Sequence, residues 1–233
     1  MKNNLSSKTV TLAQLAKVID HSLLLPELTV KEAIAGCQTA RHYNCASVCI
    51  KPCFIPLAVK ELAGTDVIVG TVISFPHGNA TIEAKVAEAK DAAAKGATEL
   101  DLVLNIGELR SGHYDLVREE IRQVVEAVKG KAIIKVILEN AYLTDEQKRA
   151  ACRLCDEAGA HFVKTSTGFA PTGCTIADLN LMFDSVSERM QVKAAHGIKT
   201  LDGLLEVIDV GVTRVGIRFT TEILEDFRKR FPE

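Results

Sequence analysis

Three segments of this chain place charged side chains inside apolar strands. The run His161-Phe162-Val163-Lys164-Thr165-Ser166-Thr167-Gly168-Phe169 reads as a short buried strand passing into a glycine-containing turn. Gln191-Val192-Lys193-Ala194-Ala195 carries a second lysine, and Glu99-Leu100-Asp101-Leu102-Val103-Leu104-Asn105 carries a carboxylate. An ammonium taken out of water must be paired or lose its proton, and a lysine without its proton is a nucleophile toward carbonyl carbon. A lysine of ordinary pKa is neutral in only ~0.04% of molecules at pH 7, whereas a depression of ~3 units leaves roughly a third neutral. Partial burial and a neighbouring ammonium together supply such a shift. Lys193 could act this way on Lys164, or the reverse; spacing alone does not say which attacks. Asp101 could hold Lys193 and pass protons during imine and enamine steps. The competing reading is structural: a strand lysine commonly snorkels to solvent, and an Asp–Lys pair can be a plain ion pair. Lys135 is a fourth strand lysine, placed early in its strand and read as a structural charge.

The elements that would position these groups alternate along the chain. Short apolar runs predict strands near 17–21, 46–51, 67–74, 99–105, 132–139, 161–166, 190–195 and 213–217. Several are continuously apolar, as in Ile133-Ile134-Lys135-Val136-Ile137-Leu138, which suits a parallel sheet covered by helices. Thr29…Glu32 and Thr144…Gln147 have capping-box spacing. Gly96, Gly130, Gly159 and Gly211 each close a helical stretch before the next strand. Eight such units in 233 residues match a (β/α)₈ TIM barrel. No GxGxxG follows the first strand, which leaves the rival open sheet without a dinucleotide site. The predicted organisation is a flexible N-terminus at 1–10, then one domain over 11–233 that begins with a short helix near 11–17. In a barrel, chemistry gathers where strands end at the C-terminal face, and Asp101, Lys164 and Lys193 fall toward the ends of strands four, six and seven.

Composition narrows the class. A net charge of −2 gives no basic footprint for nucleic acid or anionic membrane. The polar start Met1-Lys2-Asn3-Asn4 lacks the apolar stretch of a signal peptide, and no run is long enough to span a bilayer. Seven scattered cysteines fit a reducing compartment, hence a cytoplasmic protein. Cys152 and Cys155 have CxxC spacing but stand as helical neighbours at i and i+3, with no second pair to complete a zinc site. Cys45, Cys49 and Cys53 read as small buried hydrophobes.

The motif Phe162-Val163-Lys164-Thr165-Ser166-Thr167-Gly168-Phe169, together with Glu99-Leu100-Asp101-Leu102-Val103-Leu104-Asn105-Ile106-Gly107, resembles the deoxyribose-phosphate aldolases, a Schiff-base (class I) family. Val48-Cys49-Ile50-Lys51-Pro52, Phe75-Pro76-His77-Gly78, Lys135-Val136-Ile137-Leu138-Glu139 and Ile19-Asp20-His21-Ser22-Leu23-Leu24 match in order, so the resemblance runs from about residue 16 to about 227. It implies that Lys164 forms the Schiff base, that Lys193 depresses its pKa, and that Asp101 relays protons. It also implies that Asp20, Ser22, Thr167, Gly168, Gly197 and Gly216 surround the substrate. The implied reaction is reversible cleavage of 2-deoxy-D-ribose 5-phosphate to acetaldehyde and D-glyceraldehyde 3-phosphate, with no metal or cofactor. The implied partners are these small molecules and a second copy of the chain, a dimer being favoured.

The phosphate end departs from the family. Where a Gly-Gly pair usually follows the strand-seven lysine, this chain has Ala194-Ala195-His196-Gly197, and after strand eight it has Gly216-Ile217-Arg218-Phe219. A side chain at 196 could crowd a phosphate or donate to it. His196, Lys199 and Arg218 are therefore the candidate anion site. Leu25 stands where a lysine is common, and the chain ends Arg230-Phe231-Pro232-Glu233 without the terminal tyrosine of some members. Two alternatives follow: an aldolase for an unphosphorylated or different anionic acceptor, and a non-catalytic barrel that binds a sugar phosphate.

Overall fold

Apolar strands that bury both faces must be covered on both sides, and this chain does so by closing its sheet on itself. The computed structural model describes residues 1–232. Eight parallel strands run β1 (Ile19–Leu23), β2 (Ser47–Ile50), β3 (Ile68–Ile73), β4 (Glu99–Val103), β5 (Ile133–Ile137), β6 (Phe162–Lys164), β7 (Gln191–Ala195) and β8 (Arg214–Ile217). Each pairs with the next, and β8 closes on β1 with Asp20 opposite Gly216. Every strand overlaps its predicted segment. Strand six is shorter than its motif, although the Thr165 N–H still donates to the Lys193 carbonyl at 3.2 Å and the Thr165 carbonyl accepts from the Asn140 N–H at 3.0 Å.

The crossovers carry α2 (Val30–Tyr43), α3 (Ile55–Glu61), α4 (Ile82–Ala94), α6 (Tyr114–Ala127), α7 (Asp145–Glu157), α8 (Ile176–Phe183) and α9 (Leu201–Val210), and α10 (Thr220–Arg230) follows the last strand. Short α1 (Leu12–Ala16) precedes the first strand, and short α5 (Ile106–Arg110) follows β4. The capping boxes at Thr29 and Thr144 form, and a third forms at Thr11 with Gln14. Gly159 and Gly211 take φ of +85° and +112° after α7 and α9, conformations that a side chain resists. One continuous apolar layer fills the space between sheet and helices: Leu100, Leu102, Ile134, Val136, Val192 and Ala194 all point into it. The alternate strand positions therefore face the barrel axis, and these are the charged ones.

Two expectations need correction. Residues 1–10 are not free of the barrel: the Asn3 N–H donates to the Gly211 carbonyl at 2.9 Å, Ser7 bonds Asp209, and Val10 is buried. Cys53 is exposed rather than buried, because Pro52–Phe54 forms a short 3₁₀ turn outside the sheet, whereas Cys45 and Cys49 are in the core. Cys152 and Cys155 are buried together on one face of α7. Among the described residues no helix is long and apolar enough to cross a membrane.

Candidate active site

Strand register brings the three candidate residues together. Lys164 ends β6 and lies opposite Lys193 on β7, and Asp101 lies opposite Lys135 on β5. The Lys164 and Lys193 ammonium nitrogens reach the same oxygen, Asp101 Oδ2, at 2.6 and 2.8 Å. All three are almost wholly buried. Asp101 and Lys193 sit in mid-strand, so the cluster lies within the barrel and only Lys164 stands at a strand end.

The two lysines have different surroundings. Lys193 also contacts Asp20 Oδ2 at 2.5 Å, so two carboxylates share it. Burial alone would lower its pKa, but Asp101 and Asp20 outweigh burial and hold it above the ordinary lysine value. Lys164 touches one carboxylate. Burial pulls its pKa down, Asp101 opposes, and the Lys193 charge pushes it further down; the net direction is down. Burial would raise the Asp101 carboxyl, but Lys164, Lys193 and Lys135 hold it well below the usual carboxylate range. The two lysines that spacing could not tell apart therefore differ in their surroundings: the Lys164 pKa is lowered, and Lys193 is held charged by two carboxylates.

Beneath them lies a network that the sequence reading did not assemble. Lys135 is in the middle of β5, not early in its strand. Its nitrogen contacts Asp20 at 2.7 Å and Glu99 at 2.5 Å. Arg214 on β8 binds Asp20 Oδ1 and Glu99 Oε2, each at 2.8 Å, and the Ser47 hydroxyl donates to Asp20 Oδ1 at 2.7 Å. Both oxygens of Asp20 are therefore occupied by protein. It lines the cavity floor, but its contacts are with cations rather than open space. Glu99 and Arg214 were missed as site residues. The available signal was the two-residue spacing of Glu99 and Asp101, which puts both on the axial face of β4.

A cavity of about 210 Å³ opens above Lys164 at the C-terminal end of the strands. Its wall includes Asp20, Ser22, Thr167, Gly168, Lys193, His196, Gly197, Lys199, Gly216 and Arg218. The residues expected around a substrate and those of the candidate anion site therefore border one space. Asp101 lies behind this wall. The wall also holds the apolar residues Leu24, Leu25, Cys49, Phe169, Ile198 and Phe219. Burial pushes the Cys49 thiol up to about 12, so it is uncharged there. His196 takes φ +66°, a left-handed conformation usually left to glycine, and its carbonyl accepts from the Cys174 N–H at 3.0 Å. Gly173 packs against that carbonyl so closely that an added Cβ would lie 2.5 Å from it. Lys199 and Arg218 are exposed and have no carboxylate partner among the described residues. None of Tyr43, Tyr114 and Tyr142 borders the cavity, and the Tyr43 hydroxyl donates to Glu225.

A closed parallel barrel with an open cavity over a buried, charge-depressed amine is the architecture of a lysine-dependent barrel aldolase. Residues 10–216 match the description "DeoC/LacD family aldolase", and the chain belongs to that family. It is 50% identical over 225 residues to the deoxyribose-phosphate aldolase of Caldanaerobacter subterraneus subsp. tengcongensis, covering 96% of this chain and 97% of that one. It is also 50% identical over 203 residues to the deoxyribose-phosphate aldolase of Enterococcus faecalis, covering 87% and 92%. Among solved structures, the tetrameric deoxyribose phosphate aldolase of Aeropyrum pernix superposes with a TM-score of 0.85 at 29% identity, covering 94% of this chain and 93% of that one.

Proposed function

We propose that this enzyme cleaves 2-deoxy-D-ribose 5-phosphate reversibly to acetaldehyde and D-glyceraldehyde 3-phosphate through an imine on Lys164. The observation that carries the reading is the asymmetry of the two lysines: Lys164 shares one carboxylate and faces the cavity, while Lys193 is held by two. The neutral Lys164 amine adds to C1 of the open-chain sugar, and loss of water leaves an iminium. The C2–C3 bond then breaks, its electron pair passing toward the iminium nitrogen to form an enamine, while the C3 hydroxyl loses its proton and becomes the aldehyde of the departing product. Protonation at C2 and hydrolysis release acetaldehyde and return the amine. Asp101, within 2.8 Å of both lysine nitrogens, supports proton transfers through an intervening water.

At the far end of the cavity His196, Lys199 and Arg218 supply donors for the phosphate. Gly197 and Gly216 let the backbone approach, and α10 begins two residues after Arg218. The apolar wall of Leu25, Phe169 and Phe219 supports a second reading, an acceptor without phosphate. Comparing cleavage of deoxyribose 5-phosphate with that of free deoxyribose separates the two. A phosphate site predicts a preference of at least about tenfold in kcat/KM for the phosphorylated sugar, and equal values refute it.

Borohydride reduction in the presence of acetaldehyde tests the central step. A reduced two-carbon adduct on Lys164, absent from Lys164→Leu, is expected; a folded protein that traps nothing refutes the imine and favours a non-catalytic binding barrel. We further place the enzyme in the cytoplasm, where its seven free thiols stay reduced, and expect a homodimer by sedimentation velocity.

A further inference from the structure

The loop that follows Lys164 is held by a residue with no assigned part in the chemistry. Glu139 is the second residue after β5. The Leu138 N–H donates to the Lys164 carbonyl at 2.9 Å, and the Asn140 N–H donates to the Thr165 carbonyl at 3.0 Å. In a regular parallel ladder a two-residue step on one strand matches a two-residue step on its neighbour. Here it matches one, so Glu139 is an extra residue in the ladder, a bulge. Bulges beside active sites re-aim a side chain. Glu139 has φ +57° and ψ +64°, a conformation that costs a non-glycine residue on the order of 1 kcal/mol or more.

The re-aimed carboxylate is 2% exposed and has no cation within ion-pair distance among the described residues. What it has is Thr167. The Thr167 N–H donates to Glu139 Oε1 at 3.2 Å, and the Thr167 hydroxyl donates to Oε2. Thr167 Oγ1 in turn accepts the Phe169 N–H at 3.1 Å. A threonine hydroxyl has one proton and two lone pairs. With the proton committed to Glu139 and one lone pair to Phe169, a single acceptor lone pair remains. Thr167 borders the cavity that holds Lys164.

We propose that Glu139 is a positioning residue that fixes Thr167 as a hydrogen-bond acceptor for a hydroxyl on the three-carbon half of the substrate. The assignment rests on the imine chemistry proposed for Lys164. It explains why a strained bulge carries a glutamate instead of a glycine. A glycine would relieve the backbone and leave the Thr167 hydroxyl free to rotate, turning a fixed acceptor into an indifferent donor. Acetaldehyde lacks the three-carbon half, so imine formation with acetaldehyde alone does not use this contact.

The test is a double-mutant cycle with two readouts on the same samples: cleavage of deoxyribose 5-phosphate, and the borohydride-trapped acetaldehyde adduct on Lys164. Glu139→Gln keeps the shape of the side chain, but its amide N–H donates to Thr167 Oγ1 and releases the hydroxyl proton. Its kcat/KM for cleavage is expected to fall about 100-fold, while the rate of adduct formation stays within about twofold. Thr167→Val should lose a similar factor, and the double variant little more than either. Additive losses, unimpaired cleavage in Glu139→Gln, or adduct and cleavage lost in parallel would each overturn the assignment, the last by showing that Glu139 merely supports the fold around Lys164. Failure of the unmodified enzyme to form any adduct would instead strike the imine reading.

Discussion

Replacing Lys193 with methionine removes one charge and keeps a chain of similar length. Lys164 and Lys193 share Asp101 Oδ2 at 2.6 and 2.8 Å, so their nitrogens are no farther apart than the two contacts laid end to end, about 5.4 Å. Two unit charges at that distance in an effective dielectric of about 20 repel by about 3 kcal/mol, which corresponds to about two pH units on the lysine that titrates. The sign follows from the direction of the shift. The repelling charge depresses Lys164, so its removal lets the Lys164 pKa rise. Asp101 and Asp20, each left with one cation fewer, pull it in the same direction. Burial, the largest cause of the depression, remains, so the rise stops short of the free lysine value. At neutral pH the uncharged fraction of Lys164 then falls by about 100-fold. The assay is the initial rate of the trapped acetaldehyde adduct from about pH 6 to about pH 10. The Lys193→Met profile should be displaced upward by about two units, with the rate largely recovered at its alkaline end. An unmoved midpoint, even with a lower rate at every pH, refutes the electrostatic role of Lys193.

Other expectations concern the buried network and the fold. Lys135→Met leaves Asp20 and Glu99 with Arg214 as their shared partner, and urea unfolding should show a loss of about 3 kcal/mol or more while Lys164 remains the trapped residue in the folded fraction; a loss below about 1 kcal/mol would mean that the ion pairs do not offset their own desolvation. His21 is buried, with its Nδ1 2.8 Å from Thr220 Oγ1, and burial lowers its pKa to about 4. The unfolded chain binds this proton first as pH falls, so the His21 contribution is intact above about pH 6.5 and is lost between there and pH 4, amounting to up to about 3 kcal/mol. His21→Asn retains a partner for Thr220 and should flatten that part of the stability-against-pH curve; equal slopes for the two proteins refute the assignment.

Much of this was legible in the sequence because it depends on local pattern. Continuous apolar runs give the strands, hydroxyl residues three before an acid or amide give the helix starts, and glycines give the ends. Lys164, Lys193 and Asp101 stood out because each breaks an apolar run. What stayed hidden depends on register. Glu99 and Arg214 flank their strands and look like solvated strand ends; only the stagger of a closed barrel turns them inward onto Asp20 and Lys135. The bulge at Glu139 is equally silent, since a glutamate after an apolar strand gives no hint of a left-handed backbone. The same holds for His196, whose φ of +66° and close contact with Gly173 leave no mark in the sequence pattern.

The charges of the buried cluster bear on why one lysine and not another should carry the reaction. Lys135, Lys193 and Arg214 face Asp20, Glu99 and Asp101, three cations against three anions. The set is balanced before Lys164 is considered. A proton on Lys164 adds an uncompensated charge in a site that water hardly reaches, and a buried excess charge is what proteins avoid by shifting a pKa. The same excess returns when the amine becomes an iminium. When the iminium accepts the electron pair of the C2–C3 bond it becomes a neutral enamine, and the C3 hydroxyl gives up its proton in the same step, so the excess charge leaves the cluster with that proton. The balance that lowers the Lys164 pKa therefore also favours bond cleavage once the imine is protonated, provided that the C3 hydroxyl proton is passed out of the cluster, and it favours addition less in the reverse direction. A protein with the cluster shifted by one charge should show this as a changed ratio of cleavage to synthesis rates at the imine, with the overall equilibrium between sugar and aldehydes unchanged, because a catalyst alters the partition of bound states and not the free ones.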